Sequence, residues 1–529
     1  MGLRKAENGF DYTARYAGQL LDYIPEDYAD LYPAARTTER HFILHIGPTN
    51  SGKTYAALQA MHHAKDGIYL APLRLLAYEQ FDSMNRDGIY CSLKTGEEHI
   101  DVPGATVQSS TIEMLDERHF YDVVVIDEAQ MVSDPMRGGH WTKAILGAWA
   151  DEIHVCMAPE AEQLVVSMIR QCGDTFDIIR HARFNALVPD RIGNVGFPRR
   201  VEDGDAYIVF SRASVHACAA ELQSNGIHPS IIYGALPYDV RQNEARRFRA
   251  GETKVVVATD AIGMGLNLPI RRVIFLETEK FDGVSKRGLT ASEYKQIAGR
   301  AGRYGQYEQG LYVSPYQMSR AVQAVNEPIR PIEYAHLLFP EALLGVDAPL
   351  SQILRMWDRL PSNAGYRKGN VAQEIQLAEL LEQDSGDKKL IYSLVSMPFD
   401  AQRVAVFELW RTLAFDCVHG RQPRLEKHMP DIDRLCREAD LSELESSYRQ
   451  YDLLYYFAER FDETLLQRLC DERKTVSALM MRILAGTRLS PRTCKICQAP
   501  LPWNSPYKLC GRCAAADEAQ RGTPYRAHR

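Results

Sequence analysis

The chain has 529 residues, 45% of them hydrophobic and 25% charged, a length and balance that predict several globular domains. A net charge of −7 and a pI near 6.1 exclude a globally basic nucleic-acid coat, so any nucleic-acid binder of this charge must concentrate Lys and Arg in a groove. No apolar run approaches the ~18 residues of a membrane span, and the first residues lack the apolar core of a secretory signal, so a cytosolic protein without membrane association is expected.

Residues 1–39 are Tyr- and Ala-rich with helical spacing and end near Pro33. From Arg40 the texture changes to short apolar runs alternating with helical stretches. The runs HFILHI, GIYLAP, DVVVID and EIHVCMA form a first series over 40–188, and AYIVFS, PSIIYG, KVVVATD and RRVIFLE a second over 189–338. Runs that are apolar throughout suit strands buried on both faces, and strands alternating with helices predict parallel sheets. Two tandem α/β lobes follow, with residues 186–205 as the linker between them. Apolar residues at helical spacing then predict an all-helical region over 339–488. A Cys-rich unit covers 489–515, and the polar tail 516–529 reads as disordered.

Gly47-Pro48-Thr49-Asn50-Ser51-Gly52-Lys53-Thr54 fits GxxxxGK[ST], between a predicted strand and a predicted helix. Its glycines let backbone N–H groups curl around phosphates, and the helix N-terminus adds a favourable dipole. Lys53 would reach the β- and γ-phosphates and Thr54 would ligate Mg²⁺. Asp127 and Glu128 end the run VVVI, where parallel sheets place ligand chemistry. Asp127 would hold the Mg²⁺ shell and Glu128 would polarise the attacking water. Alone, such a pair is usually a solvated turn; 75 residues or so after a phosphate loop it reads as catalytic.

In the second lobe, Gln296, Arg300 and Arg303 of QIAGRAGR are spaced i, i+4, i+7 and are expected on one helix face, supplying positive charge to the transition state. The glycines among them cost about 1 kcal/mol each in a helix, which argues against an ordinary solvated face. Upstream, Thr259-Asp260-Ala-Ile-Gly263-Met-Gly-Leu-Asn follows a predicted strand. Asp260 and Gly263 are candidates for approaching the nucleotide.

The order of these segments resembles a superfamily two helicase core. GPTNSGKTYAAL, APLRLLAYE, IDEAQMVSDPMRGGHWTKAILG, ATDAIGMGLNLPIRRVIF and QIAGRAGR are similar to the RNA helicase of the mitochondrial degradosome and its bacterial relatives. The resemblance covers roughly residues 40–485. It implies two RecA-like lobes, hydrolysis of ATP or another NTP with Mg²⁺, 3′-to-5′ unwinding of single-stranded or 3′-tailed RNA, and an exoribonuclease partner. Carried over by position, Pro72, Leu73, Arg74, Thr95, Gly96 and Thr111 would line the nucleic-acid path on lobe one. Arg212, Tyr233, Gly234 and Thr259 would do so on lobe two. This sequence departs from the mitochondrial members at Ala129, where they have Ile, and MAPEA (157–161) matches the third motif only loosely. The motifs do not separate RNA from DNA, so a DNA helicase is the first alternative and a non-catalytic RNA-binding scaffold the second. The Asp282-Gly283 turn is a candidate for the tip of a duplex-splitting hairpin, a plain surface loop being the alternative.

Of eleven cysteines, seven are scattered and four cluster as Cys494-x-x-Cys497 and Cys510-x-x-Cys513. Two CxxC knuckles at this spacing suit tetrahedral Zn²⁺ in a small zinc-ribbon-like unit, because a redox pair needs only one. The metal would be structural, folding a segment too short to fold otherwise.

Overall fold

The computed structural model describes residues 12–190, 195–199, 201–263, 268–282, 285–303, 305–486, 493–499, 501–505 and 507–521. The first lobe is built on strands β1 (His41–Ile46), β2 (Gly67–Ala71), β3 (Cys91–Thr95), β4 (Glu98–Ile100), β5 (Val107–Thr111), β6 (Phe120–Ile126), β7 (Trp149–Met157) and β8 (Thr175–Arg180). They form one sheet in the order β4-β3-β5-β2-β6-β7-β1-β8, parallel except for the β3–β4 pair. Every residue of β2 is buried, as its uninterrupted apolar run requires. Edge strand β8 is largely exposed.

The second lobe contains β9 (Ala186–Pro189), β10 (Asp205–Ile208), β11 (Ser230–Ile232), β12 (Val255–Ala258), β13 (Arg272–Phe275) and β16 (Gln309–Val313), with the hairpin strands β14 (Glu279–Phe281) and β15 (Lys286–Gly288) between the last two. Its sheet runs β11-β12-β10-β13-β16-β9, with every pair parallel. Strand β9 lies inside the stretch expected to be linker. Its Pro189 gives no ladder N–H, which an edge strand tolerates, and β9 is an edge strand. β14 and β15 pair antiparallel, and Gly283 lies outside the described residues.

Among the described residues the region from 339 to 486 is helical apart from β18 (Tyr366–Lys368), which pairs parallel with β17 (Ala335–Leu337) at the end of the second lobe. Its largest members are the helices Leu441–Phe461 and Leu466–Gly486, which pack on each other. One continuous core runs from the first lobe into this region and buries Trp141, Trp357 and Trp410. At the N-terminus the structure shows a helix over Tyr12–Tyr23 followed by two single 3₁₀ turns, and residues 1–11 lie outside the described residues. The tail departs from expectation. A helix covers Gly511–Arg521, because the Ala, Glu and Gln residues of CAAADEAQ are good helix formers and buried Cys513 anchors its first turn. Residues 522–529 lie outside the described residues. Among the described residues no helix is long and apolar enough to cross a membrane.

Candidate nucleotide cleft and nucleic-acid channel

Strand β1 delivers the chain to the phosphate-type loop. Gly47 is held where a Cβ would stand 2.4 Å from the His181 carbonyl oxygen. Asn50 and Gly52 take positive φ (62° and 78°), curling the loop before a helix starts at Lys53. Lys53 Nζ donates to the carbonyls of Gly47 and Pro48, both at 2.8 Å. Ser51 Oγ also donates to Pro48 at 2.8 Å, and Thr49 faces the opposite lobe.

At the end of β6, Asp127 is buried and receives Thr54 Oγ1 at 3.1 Å and the Tyr69 hydroxyl at 2.8 Å. Its carbonyl accepts from the Trp141 indole at 2.9 Å. Burial first, then the charge of Glu128, raises the Asp127 carboxyl above the usual range; Tyr69 and Lys53 oppose this. A buried carboxylate paired with a hydroxyl at the foot of a phosphate-type loop is the donor set that holds Mg²⁺ with a nucleotide. Glu128 adopts φ 52° and is bonded by Gln130 Nε2, while Gln130 Oε1 accepts from the Ala158 N–H at 3.0 Å. The acidic motif is thereby tied to the segment 157–161.

A cavity of about 190 Å³ lies between loop residues 49–55, Asp127, Glu128 and Arg300 of the second lobe. The helix carrying Gln296 ends at Ala298, so Gln296, Arg300 and Arg303 do not share one helical face. The chain leaves through a turn at Gly302 (φ 75°), where a Cβ would stand 2.4 Å from the Gly310 nitrogen. Arg300 is presented from that turn, partly buried, with Nε and Nη2 on the Gly263 carbonyl. Gln296 lies beside Gly263, and Arg303 is half-buried near Arg249 and Glu79. Asp260 is engaged by Lys280 of the hairpin at 3.0 Å. Residues 264–267, the rest of that motif, lie outside the described residues.

A second cavity, about 860 Å³, is bounded by both lobes and the helical region. Pro72, Leu73, Arg74, Gly96, Thr111 and Gly234 line it together. Four other residues expected on the path lie elsewhere. Thr95 is buried and donates to the Glu98 carbonyl. Thr259 is buried and caps the Ala261 N–H. The Tyr233 hydroxyl donates to Glu445 at 2.5 Å, and Arg212 pairs with Glu445 at 3.1 Å. The far wall was missed in the sequence: Phe399 and Arg403 come from the loop before one helix, and Arg449 and Tyr456 from the helix Leu441–Phe461. Arg449 and Tyr456 are seven residues apart on one helix, a spacing that places them on one face.

Beneath the channel, Arg74 pairs with Glu97, and Glu97 pairs with Arg473 at 3.3 Å, which also meets Asp452 at 3.2 Å. All but Arg74 are nearly inaccessible to solvent. Replacing Arg473 by Met leaves two buried carboxylates short of a cation, and a destabilisation of about 3 kcal/mol is expected in urea unfolding. A loss below about 1 kcal/mol would show that Arg74 and Arg449 alone neutralise the cluster.

The four clustered cysteines converge, with their Sγ atoms all within 4.8 Å of one another. Cys497 and Cys510 sulfurs are 3.6 Å apart, close to the ~3.8 Å edge of a tetrahedron with 2.3 Å zinc–sulfur bonds. The residues therefore fit the metal. The unit docks on lobe two: buried Trp503 donates its backbone N–H to Glu221 at 2.8 Å and meets Phe197 edge-on.

Comparison with known proteins follows this geometry. The DEXQ-box helicase domain of Suv3 matches residues 28–181, and a helicase conserved C-terminal domain matches residues 190–305. An Arabidopsis thaliana protein, the mitochondrial DExH-box ATP-dependent RNA helicase DExH16, is 33% identical over 503 residues, covering 91% of this chain and 87% of that protein. Arabidopsis DExH18, likewise mitochondrial, is 45% identical over 57% of this chain and 40% of its own length. The human mitochondrial ATP-dependent RNA helicase SUPV3L1 is 35% identical over 64% of this chain and 46% of its own length. This chain thus spans less than half the length of two of these three relatives. Their names overturn the cytosolic expectation, since all three are mitochondrial proteins. That expectation rested on the lack of an apolar span and of a secretory-type start, neither of which distinguishes one aqueous compartment from another. Two matched helicase domains in tandem, and a relative aligned over nine-tenths of the chain, place the protein in the Suv3-type DEXQ-box helicase family.

Proposed function

We propose that the protein is an ATP-dependent RNA helicase that translocates 3′-to-5′ and unwinds RNA in RNA turnover. The observation that carries this reading is the cavity where Lys53, Asp127 and Glu128 of one lobe face Arg300 of the other. Bound Mg²⁺ would neutralise phosphate charge, held by Thr54 and Asp127. Lys53 leaves its loop carbonyls for the phosphates, Glu128 orients the attacking water, and Arg300 leaves Gly263 for the γ-phosphate. Gln296 backs the Gly263 turn, and Arg303 adds positive charge beside it. The 860 Å³ channel suits a single strand gripped by its backbone, with Arg74, Arg403 and Arg449 on the phosphates and Phe399 and Tyr456 near the bases. The cysteine unit holds structural Zn²⁺ against lobe two. An exoribonuclease is the partner that the family resemblance suggests.

The test is steady-state NTP hydrolysis without polymer, with single-stranded RNA and with single-stranded DNA, alongside Lys53→Ala. Stimulation by RNA, abolished in the variant, is expected. Stimulation by DNA alone would assign a DNA translocase, and no hydrolysis above the variant under any condition would leave a binding scaffold.

A further inference from the structure

The segment joining the lobes, His181 to Asn185, runs between the phosphate-type loop and the arginine turn and bonds to both. Arg183 sits at its centre. Its Nη1 donates to the Thr49 carbonyl at 3.0 Å and the Gly299 carbonyl at 2.9 Å, and its Nη2 to the Ala301 carbonyl at 2.6 Å. Nε donates to the Asn185 carbonyl at 2.8 Å. Four of the five guanidinium N–H groups are thus used, in three directions. Neighbours reinforce the seam: Asn50 and Asn185 side chains both donate to the Gly302 carbonyl at 2.9 Å, and the Phe184 N–H donates to the Asn50 carbonyl at 3.2 Å. A Cβ on Gly299 would stand 3.2 Å from the Thr49 Cβ, so loop and turn are in direct apposition.

We infer that Arg183 is a positioning residue for hydrolysis: it registers the arginine turn on the phosphate loop, so that Arg300 is aimed only when the lobes are closed over a nucleotide triphosphate. The inference rests on the nucleotide-cleft reading and adds a residue that none of the motifs contains.

Two physical features support it. First, the acceptors are all backbone carbonyls, one on the loop of one lobe, two on the turn of the other and one in the joining segment, so the side chain measures the distance between loop and turn and does not recognise a particular side chain. A Lys ammonium lacks the planar fork needed to reach them together. Second, Arg183 brings a cation beside Arg300. Burial, then the charge of Arg300, pulls its guanidinium down to about 10. Two partly buried like charges repel, and the phosphates of a bound nucleotide would relieve that repulsion. Closure is therefore favoured with a triphosphate in place and disfavoured once γ-phosphate departs. Arg183 makes the seam, and the charge it contributes helps to open it.

The experiment compares the parent with Arg183→Met and Arg183→Lys, and with Lys53→Ala as a blank. Hydrolysis is measured at saturating single-stranded RNA. Affinity is measured separately with a fluorescent nucleoside diphosphate, with and without beryllium fluoride as a γ-phosphate mimic. For Arg183→Met, kcat is expected to fall about 100-fold, as for a misplaced catalytic group. KM and the plain diphosphate affinity should change less than about threefold, and the tightening by beryllium fluoride should disappear. Arg183→Lys should resemble Met more than the parent. Retained kcat with retained tightening overturns the proposal. So does a parallel loss of kcat, diphosphate affinity and melting temperature, which would assign Arg183 to the scaffold alone. A parent that hydrolyses no faster than Lys53→Ala removes the motor reading itself, a result separable from either of these.

Discussion

Replacing Arg300 by Ala is expected to lower RNA-stimulated hydrolysis by about a thousandfold, the lower end of what an arginine finger contributes. Its guanidinium now rests on the Gly263 carbonyl, in the lining of the cavity that Lys53 and Asp127 share. Burial lowers its proton affinity, while the charges of Glu128, Glu79 and Asp127 restore part of it. A partly buried cation resting on a carbonyl is poised for a stronger acceptor, and the γ-phosphate in its transition state is one. Ground-state nucleotide affinity should change much less, because the developing charge is absent there. Single-turnover hydrolysis and equilibrium nucleotide titration separate the two. A kcat loss smaller than about tenfold would mean that another residue, Arg303 first, supplies the charge. Arg300→Lys should recover little, since one ammonium cannot keep the fork geometry.

Loss of the proposed zinc site is expected to have the second large effect, confined to the cysteine unit and the helix after it. Free energies of about 10–16 kcal/mol accompany structural zinc binding in small thiolate units, far more than the few apolar side chains here can supply. Leu501, Leu509 and the cysteines themselves make up the unit's own small core. With Cys497→Ser and Cys510→Ser together, the unit should unfold and Trp503 should leave Glu221 and Phe197. Hydrogen exchange in 493–521 should rise to that of an open chain, while the lobes keep their protection. Metal analysis of the parent should give one zinc per chain. A parent without zinc whose knuckles stay protected would rule the metal out.

The strands that carry the cleft were legible because β2, β12 and residues 123–126 of β6 are covered on both sides and must be apolar. Strand β5 escaped because its sequence, VQSST, is polar. Its Ser109 is nevertheless buried, with Oγ donating to the Ala77 carbonyl at 2.6 Å, so a helix satisfies what the sheet does not. The loop residues 47–54 and the pair 127–128 were legible as spacing, since adjacent chain positions fix their geometry. The arginine turn was not. Residue spacing predicts a shared face only while a helix lasts, and this one stops at Ala298, before a glycine held at positive φ. Arg183 left no mark in the sequence at all, since its partners are carbonyls and any residue can provide those. The same holds for the channel's far wall. Arg403, Arg449 and Tyr456 come from separate turns of chain, and only tertiary packing brings them opposite Arg74.

The long helix Leu441–Phe461 has a mechanical consequence. Near its start, Glu445 is bolted to Tyr233 and Arg212 of lobe two. Seven residues on, roughly 10 Å along the axis, Asp452 joins Arg473, which is bolted to Glu97 of lobe one. One stiff rod is thus fastened to both of the bodies that the proposed cycle would move against each other. Straight separation would tear one fastening, whereas swivelling about the rod keeps both. On the proposed cycle the stroke expected is a twist about this axle, with two clusters of charge outside the Lys53–Arg300 cavity as its bearings.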